Sequence, residues 1–130
     1  MKTKIIIVCS LLVLLIAFAT WEEIFIKNSL EKISNMASII ITEIENNNNE
    51  INDNINEKIK ELDEVWEKTE YTFCYLTNHN DMKEIGDSIC YAKTYAKQKD
   101  SDGVVERINL VIYYAKCYSR IFSFDIQNII

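Results

Sequence analysis

Three cysteines in the second half of this 130-residue sequence are the first candidates for chemistry. Cys74, Cys90 and Cys117 are each followed by a tyrosine. Because three is an odd number, at most one intramolecular disulfide can form among them and one thiol is left over. No C-x-x-C spacing occurs, so neither a thioredoxin-like redox pair nor a zinc knuckle is supported. Cysteine is among the most buried residue types, and we therefore expect buried thiols, with one disulfide as the alternative.

His79 is the single histidine, and it stands between two asparagines at a predicted turn between helices. A histidine in this position is more often a cap or an exposed residue than a catalyst. Cys74 precedes it by five residues across a helix end, which disfavours a Cys-His nucleophilic pair. A stripe of four acids along one predicted helix could be read as a cation site, but we interpret it as a solvated face: Asp53, Glu57, Glu61 and Glu64.

Motifs of the common enzyme classes are absent from the sequence. It contains no G-x-S-x-G, H-E-x-x-H, Walker or Rossmann pattern, and two glycines cannot build the usual phosphate-binding loop. We therefore predict no catalytic residues, no cofactor-binding residues, no metal ligands and no cofactor, and we expect that the protein is not an enzyme. The net charge of -6 argues against a nucleic-acid partner.

The segment from Ile5 to Trp21 is uncharged and predicts a transmembrane anchor over residues 1–21. Lys2 and Lys4 precede it, so the positive-inside rule places the N-terminus in the cytoplasm of a single-pass protein. The competing interpretation is a signal peptide cleaved after Ala19. The helical pattern continues past that site without a breaker, which favours an uncleaved signal-anchor in the cell membrane. In both cases residues 22–130 form an extracytoplasmic domain.

Apolar spacing in that domain predicts four helices, at about 22–45, 50–77, 81–99 and 103–122. The first continues the anchor and carries a heptad seam typical of a coiled coil. The absence of proline and of any strand pattern supports an all-α fold, a small antiparallel four-helix bundle. The predicted inward positions begin with Ile26, Leu30, Ile33, Ala37, Ile40 and Ile44, and continue with Ile51, Ile55, Ile59, Leu62, Trp66, Thr69, Phe73, Leu76, Met82, Ile85, Ile89, Ala92, Ala96, Val105, Ile108, Ile112, Ala115, Ser119 and Phe122, with Val111 and Tyr118 widening the face of the fourth helix.

Several short segments, taken with the anchor, resemble a known family. They are Val65-Trp66-Glu67-Lys68, His79, Ile85-x-x-x-Ile89, Tyr95-Ala96 with a following Asp100, and the C-terminal segment Asp125 to Ile130. The arrangement is similar to the domain of unknown function 4363 family, small membrane-anchored helical proteins of spore-forming Firmicutes. The resemblance implies a tethered helical domain outside the cytoplasm, with an integral membrane protein as a partner.

Three functions follow as hypotheses. The first is a membrane-tethered interaction or structural module that binds a protein partner through the helical hairpin of residues 26–65 or through the apolar C-terminal segment. The second is an extracytoplasmic small-ligand-binding or sensory four-helix bundle. The third is a thiol-based redox or transfer enzyme. We favour the first, and we leave open whether two copies pair as a homodimer along the heptad seam.

Overall fold

The computed structural model describes residues 1–76 and 82–121, and these residues form four helices without a β-strand. Helix α1 spans Lys2–Asn46, α2 spans Asp53–Leu76, α3 spans Lys83–Lys97 and α4 spans Ser101–Ile121. The predicted fold class, an all-α chain in which one long apolar N-terminal helix continues into four packed helices, is therefore confirmed.

Each helix packs against its neighbours in sequence, and α4 packs back against α1. Contacts at both ends of the first hairpin show that α1 and α2 run antiparallel. The Phe25 and Phe73 rings lie 6.1 Å apart between centroids, and at the other end Asn54 Nδ2 donates to Glu43 Oε2 at 3.2 Å. The bundle therefore has a proximal end, beside the N-terminal part of α1, and a distal end at residues 47–52.

The predicted inward faces of α1 and α3 are confirmed at every position, because all their seam residues are buried. On α2 the agreement is nearly complete, with only Thr69 and Leu76 half-buried. The largest fully buried side chain is Trp66. Such a seam buries one apolar stripe of each helix and leaves the charged residues on the opposite face.

Helix α4 is rotated relative to the prediction. Val104, which the spacing does not predict inward, is buried together with Ile108 and Ala115, and so is Val111, which is expected only to widen the face. The predicted Val105 and Ile112 are only half-buried. Ser119 is also half-buried, and Phe122 lies outside the described residues. Two adjacent apolar pairs, Val104-Val105 and Val111-Ile112, make both registers equally apolar in sequence, so periodicity alone does not choose between them.

Helix α2 begins at Asp53, three residues later than predicted, because Asn52 caps it. The Asn52 side-chain oxygen accepts a hydrogen bond from the Ile55 backbone N–H at 2.9 Å, which satisfies one of the first unpaired donors of the helix. Asn48 and Asn49 in the preceding turn have φ values of 56° and 59°. Asparagine tolerates this left-handed conformation better than most residues, which explains the asparagine run.

Helix α4 begins at Ser101, two residues earlier than predicted, because Asp100 caps it. The Asp100 carboxylate accepts from the Gly103 backbone N–H at 3.0 Å, so the segment that reads as a turn in sequence is the first turn of the helix. Helix α3 ends at Lys97 rather than at residue 99. Asn80 and Asp81 stand just before the third helix in the sequence and are residue types that cap helices, but they lie outside the described residues.

Gly86 allows α3 to approach α2 closely at Trp66. A Cβ atom on residue 86 would lie 2.9 Å from Trp66 Nε1, which is closer than real Cβ contacts come. That indole nitrogen is buried and donates to no acceptor among the described residues. The absence of a side chain at Gly86 therefore permits the close approach of α3 to α2.

Candidate functional site

The N-terminal half of α1 is the most exposed apolar surface among the described residues. Every residue from 1 to 21 is exposed, and the buried positions of the helix begin at Ile26. In the described part of the chain, α1 alone is long and apolar enough to cross a membrane, and its most apolar window is not buried at all. A signal sequence near an N-terminus has the same character. Residues 2–21 are called the apolar extension below.

A chain of aromatic contacts joins the apolar extension to the core of the bundle. Phe18 and Trp21 have ring centroids 5.9 Å apart, and Trp21 stacks on Phe25 at 5.6 Å. Phe25 meets Phe73, which in turn meets Trp66 edge-on at 6.3 Å. Because aromatic pairs stabilise beyond the area they bury, these contacts stiffen the junction between the extension and the bundle.

Two exposed tyrosines occupy the last turns of α2, at the proximal end. The Tyr75 hydroxyl donates to the Tyr71 hydroxyl at 3.1 Å, and this hydrogen bond raises the pKa of Tyr75 above its ordinary value. Tyrosine is enriched where a protein meets the membrane interface, because its ring is apolar and its hydroxyl is polar. Sequence reasoning missed this pair, although the i,i+4 spacing of the two tyrosines is its signal.

The expectation of buried thiols is wrong. Cys74 and Cys90 are exposed, Cys117 is half-buried, and none of the cysteines forms a disulfide. Cys74 directly follows the buried Phe73, and Cys90 directly follows the buried Ile89. Successive residues of an α-helix are rotated by about 100° around its axis, so each cysteine side chain points away from the core. Cys117 hydrogen-bonds the Tyr113 hydroxyl, which raises the pKa of Tyr113. His79 lies outside the described residues.

The acidic stripe on α2 is a solvated face, as expected. Asp53, Glu57, Glu61 and Glu64 are all exposed. Among the described residues no group of three histidine, cysteine, aspartate or glutamate side chains is arranged to hold a metal ion. The structure therefore brings none of the sequence-derived candidates together into a site with shared chemistry.

A small apolar patch lies on the outside of the hairpin formed by α1 and α2. Ile39 is 51% exposed and adjoins the partly buried Met36. Together with Lys58 and Glu61 these residues line a shallow depression of about 70 Å³. A depression of this volume is too small for most ligands, so it is not a ligand pocket of the usual size. This apolar patch is called the hairpin patch below.

The chain was compared with family models, with curated proteins and with solved structures. None of them matches it. The resemblance to the domain of unknown function 4363 family stays a hypothesis.

The ion pair of Asp63 with Lys93 joins α2 to α3, whereas the other ion pairs between described residues lie within one helix. The hydrogen bond with Asp63 raises the pKa of Lys93 above its ordinary value of 10.5, against a smaller lowering by desolvation. Because the pKa of Lys93 is higher in the folded state than in the unfolded state, the pair contributes its full stabilisation at pH values below the unfolded pKa. The contribution is lost as the pH rises through the raised pKa.

We expect Lys93→Met to lower the free energy of unfolding at neutral pH by up to about 1 kcal/mol, because the pair is partly exposed. The difference from the wild type should shrink as the pH passes above 10.5. Urea titrations over a pH series measure it. Lys60→Met is the matched control, since Lys60 pairs with Glu64 at 3.8 Å on the exposed surface of one helix. A pH-independent Lys93 effect would contradict the assignment.

Proposed function

We propose that this protein is a membrane-tethered helical module that holds a four-helix bundle at the outer membrane face and binds another protein there. The observation that carries the proposal is the form of α1. One uninterrupted helix of 45 residues supplies both the apolar extension, whose residues are all exposed and which meets the bundle only at its end through Trp21, and one of the four helices of the bundle. A hydrophobic helix left bare by its own fold needs an apolar surrounding, and a lipid bilayer supplies one.

In this proposal the extension is an uncleaved single-pass anchor of the cell membrane. Lys2 and Lys4 stay in the cytoplasm by the positive-inside rule, and Trp21 lies at the far interface. The bundle is then extracytoplasmic. The exposed Tyr71 and Tyr75 support this placement, because they lie at the proximal end, where aromatic residues favour the headgroup layer.

The partner surface in this proposal is the hairpin patch around Ile39. An integral membrane protein is the partner class that fits, since the tether holds the patch near the membrane and the domain of unknown function 4363 resemblance carries the same implication. The apolar C-terminal segment, Asp125 to Ile130, is the other candidate contact from the sequence, and it lies outside the described residues. The proposed role is binding and not catalysis, and a homodimer would use the same exposed surfaces.

Affinity purification from detergent-solubilised native membranes tests the proposal. The tag goes into the turn at residues 47–49, which leaves both termini free, and the intact mass is measured on the same sample. We expect one stoichiometric membrane protein together with a chain of full mass. If the chain were recovered alone, or with a mass matching cleavage after Ala19, the result would contradict the proposal of a tethered module.

Two isoleucine variants locate the contact. Ile39→Asp places a charge in the hairpin patch and should reduce recovery of the partner about tenfold or more, because a desolvated charge at an interface is costly. Ile121→Asp is the matched control, since Ile121 is also exposed but lies at the end of α4. Equal recovery with Ile39→Asp and the wild type would exclude the hairpin patch as the contact.

A further inference from the structure

A groove of about 370 Å³ runs between α1 and α4 near the proximal end. It exists because small side chains face each other there, Ser34 from α1 and Ala115 from α4, so the two helices leave space above their contact. The polar side chains that line it include Lys27, Glu31, Ser34, Lys116, Ser119 and Arg120.

The groove is basic on an acidic protein. Lys27, Lys116 and Arg120 face a single carboxylate, that of Glu31, although the chain carries a net charge of -6. None of the three cations forms an ion pair with another described residue. This holds even for Lys27 and Glu31, whose i,i+4 spacing on one helix commonly produces a pair. The described part of the chain therefore leaves their positive charge without a paired carboxylate.

Ser34 supplies an independent observation. It is only 7% exposed and lines the groove, yet its hydroxyl makes no hydrogen bond with any described residue. The other buried serine, Ser88, donates to the Glu84 carbonyl oxygen at 2.7 Å, as helical serines commonly do. The buried polar side-chain atoms without a partner among the described residues are Trp66 Nε1 and Arg107 Nε, so the unpaired Ser34 hydroxyl oxygen reaches the solvent of the groove. The Ser34 hydroxyl is thus an uncommitted donor inside a basic groove.

We propose that this groove is a binding site for a phosphate group. Lys116 and Arg120 provide charge from α4 and Lys27 from α1, and the arginine fork matches two phosphate oxygens at once. The hydroxyls of Ser34 and Ser119 donate to the remaining oxygens. Glu31 limits the affinity by repulsion, so the site favours a phosphate that exchanges readily.

Two sources can supply this phosphate, a soluble phosphate compound or the headgroup of a phospholipid. Lys27 follows Trp21 by six residues, which is about 9 Å of helix rise. If α1 spans a membrane, the proximal end of the groove lies just above the headgroup layer, within reach of lysine and arginine side chains. The lipid source rests on the proposed membrane anchor, whereas the soluble source does not.

The first experiment uses the full chain in dodecyl maltoside, a detergent without phosphate, titrated with inorganic phosphate in a calorimeter. We expect saturable binding that the double variant K116Q/R120Q weakens about tenfold or more, since each loses charge-assisted hydrogen bonds. K97Q/K99Q is the matched control, because it removes the same charge from exposed positions at the distal end of α3. It should change the affinity by less than about twofold, the level expected of distant surface charge.

Two single variants separate the contributions within the groove. Ser34→Ala should weaken phosphate binding about threefold or more, as the loss of one hydrogen bond to the charged phosphate predicts. It should leave the thermal midpoint of the free protein unchanged, since the hydroxyl has no partner to lose. Glu31→Gln should tighten binding, because it removes the repelling charge. Weaker binding by Glu31→Gln would contradict the proposed arrangement.

The second experiment distinguishes the lipid source. The protein is reconstituted in vesicles of phosphatidylcholine and phosphatidylglycerol, extracted, and measured by native mass spectrometry. Phosphatidylglycerol retained by the wild type and by K97Q/K99Q but not by K116Q/R120Q would assign the phosphate to a lipid headgroup. If neither inorganic phosphate nor phosphatidylglycerol binds, or if the control loses as much as the groove variant, the proposal is overturned. The phosphate titration needs no membrane, so its result is independent of the tether.

Discussion

Trp66→Ala is expected to lower the free energy of unfolding of the bundle by about 3–5 kcal/mol, the range for removing a fully buried tryptophan. Trp66 is 2% exposed, touches Phe73 and fills the space that Gly86 leaves on α3. Its removal leaves a cavity bounded by rigid helices that cannot close over it. Chemical denaturation of the full chain in detergent, followed by circular dichroism, measures the change.

Gly86→Ala tests the contact between Gly86 and Trp66, because its effect on the free energy of unfolding should change sign when Trp66 is replaced by leucine. In the wild type the new methyl group would collide with the indole, and overpacking of this kind costs about 1–3 kcal/mol. In a Trp66→Leu background the collision disappears, and the alanine should stabilise α3 by up to about 1 kcal/mol through helix propensity. If Gly86→Ala changed the free energy of unfolding in the same direction in both backgrounds, the indole and Gly86 would not be in contact in solution.

The largest functional effect is expected from deleting residues 2–20. The variant should move entirely from the membrane fraction to the soluble fraction, because the deleted residues include nearly the whole apolar extension. Its bundle should keep its helices and most of its stability, since the buried core begins at Ile26 and Trp21 remains to stack on Phe25. Fractionation with carbonate-washed membranes, together with circular dichroism of the soluble variant, measures both expectations.

Leu12→Arg tests the same expectation with a single substitution instead of a deletion. One arginine near the middle of a transmembrane helix opposes insertion by about 2.5–3.5 kcal/mol, so membrane integration should fall while the bundle is unaffected. Leu12 is exposed and touches no part of the bundle. A full-length wild type found in the soluble fraction, or a deletion variant that fails to fold, would contradict the separation of extension and bundle.

The fold could be predicted from the sequence where one residue type dominates a seam. Isoleucines and leucines at heptad spacing on α1 allow only one face of the helix to point inward, and each of those positions is buried. The same reasoning predicts Trp66 inward, because it lies four residues after Leu62 and continues the seam of α2. Helix ends were less predictable, since Asn52 and Asp100 act as caps in segments where other asparagines and aspartates compete for that role.

The surfaces could be predicted only in part. Burial of Cys74 and Cys90 was inferred from the average behaviour of cysteine, but their position one residue beyond the seam decides their exposure. The groove between α1 and α4 depends on two helices that are distant in sequence. Serine and alanine at the contact are unremarkable on either helix alone, and only their juxtaposition opens the space that Lys27, Lys116 and Arg120 surround.

Helix α1 contains neither proline nor glycine between the apolar extension and its end at Asn46. From Trp21 to Asn46 the helix rises by about 38 Å, so its length fixes the distance between Trp21 and the turn at the distal end. Without a flexible linker the bundle cannot swing, and any rotation of the N-terminal half turns the whole domain through the same angle. For the proposed membrane-tethered module, a partner would therefore have to meet the bundle at a fixed height and orientation. Inserting a few residues after Trp21 would change that height and orientation and leave the contact surface itself unaltered.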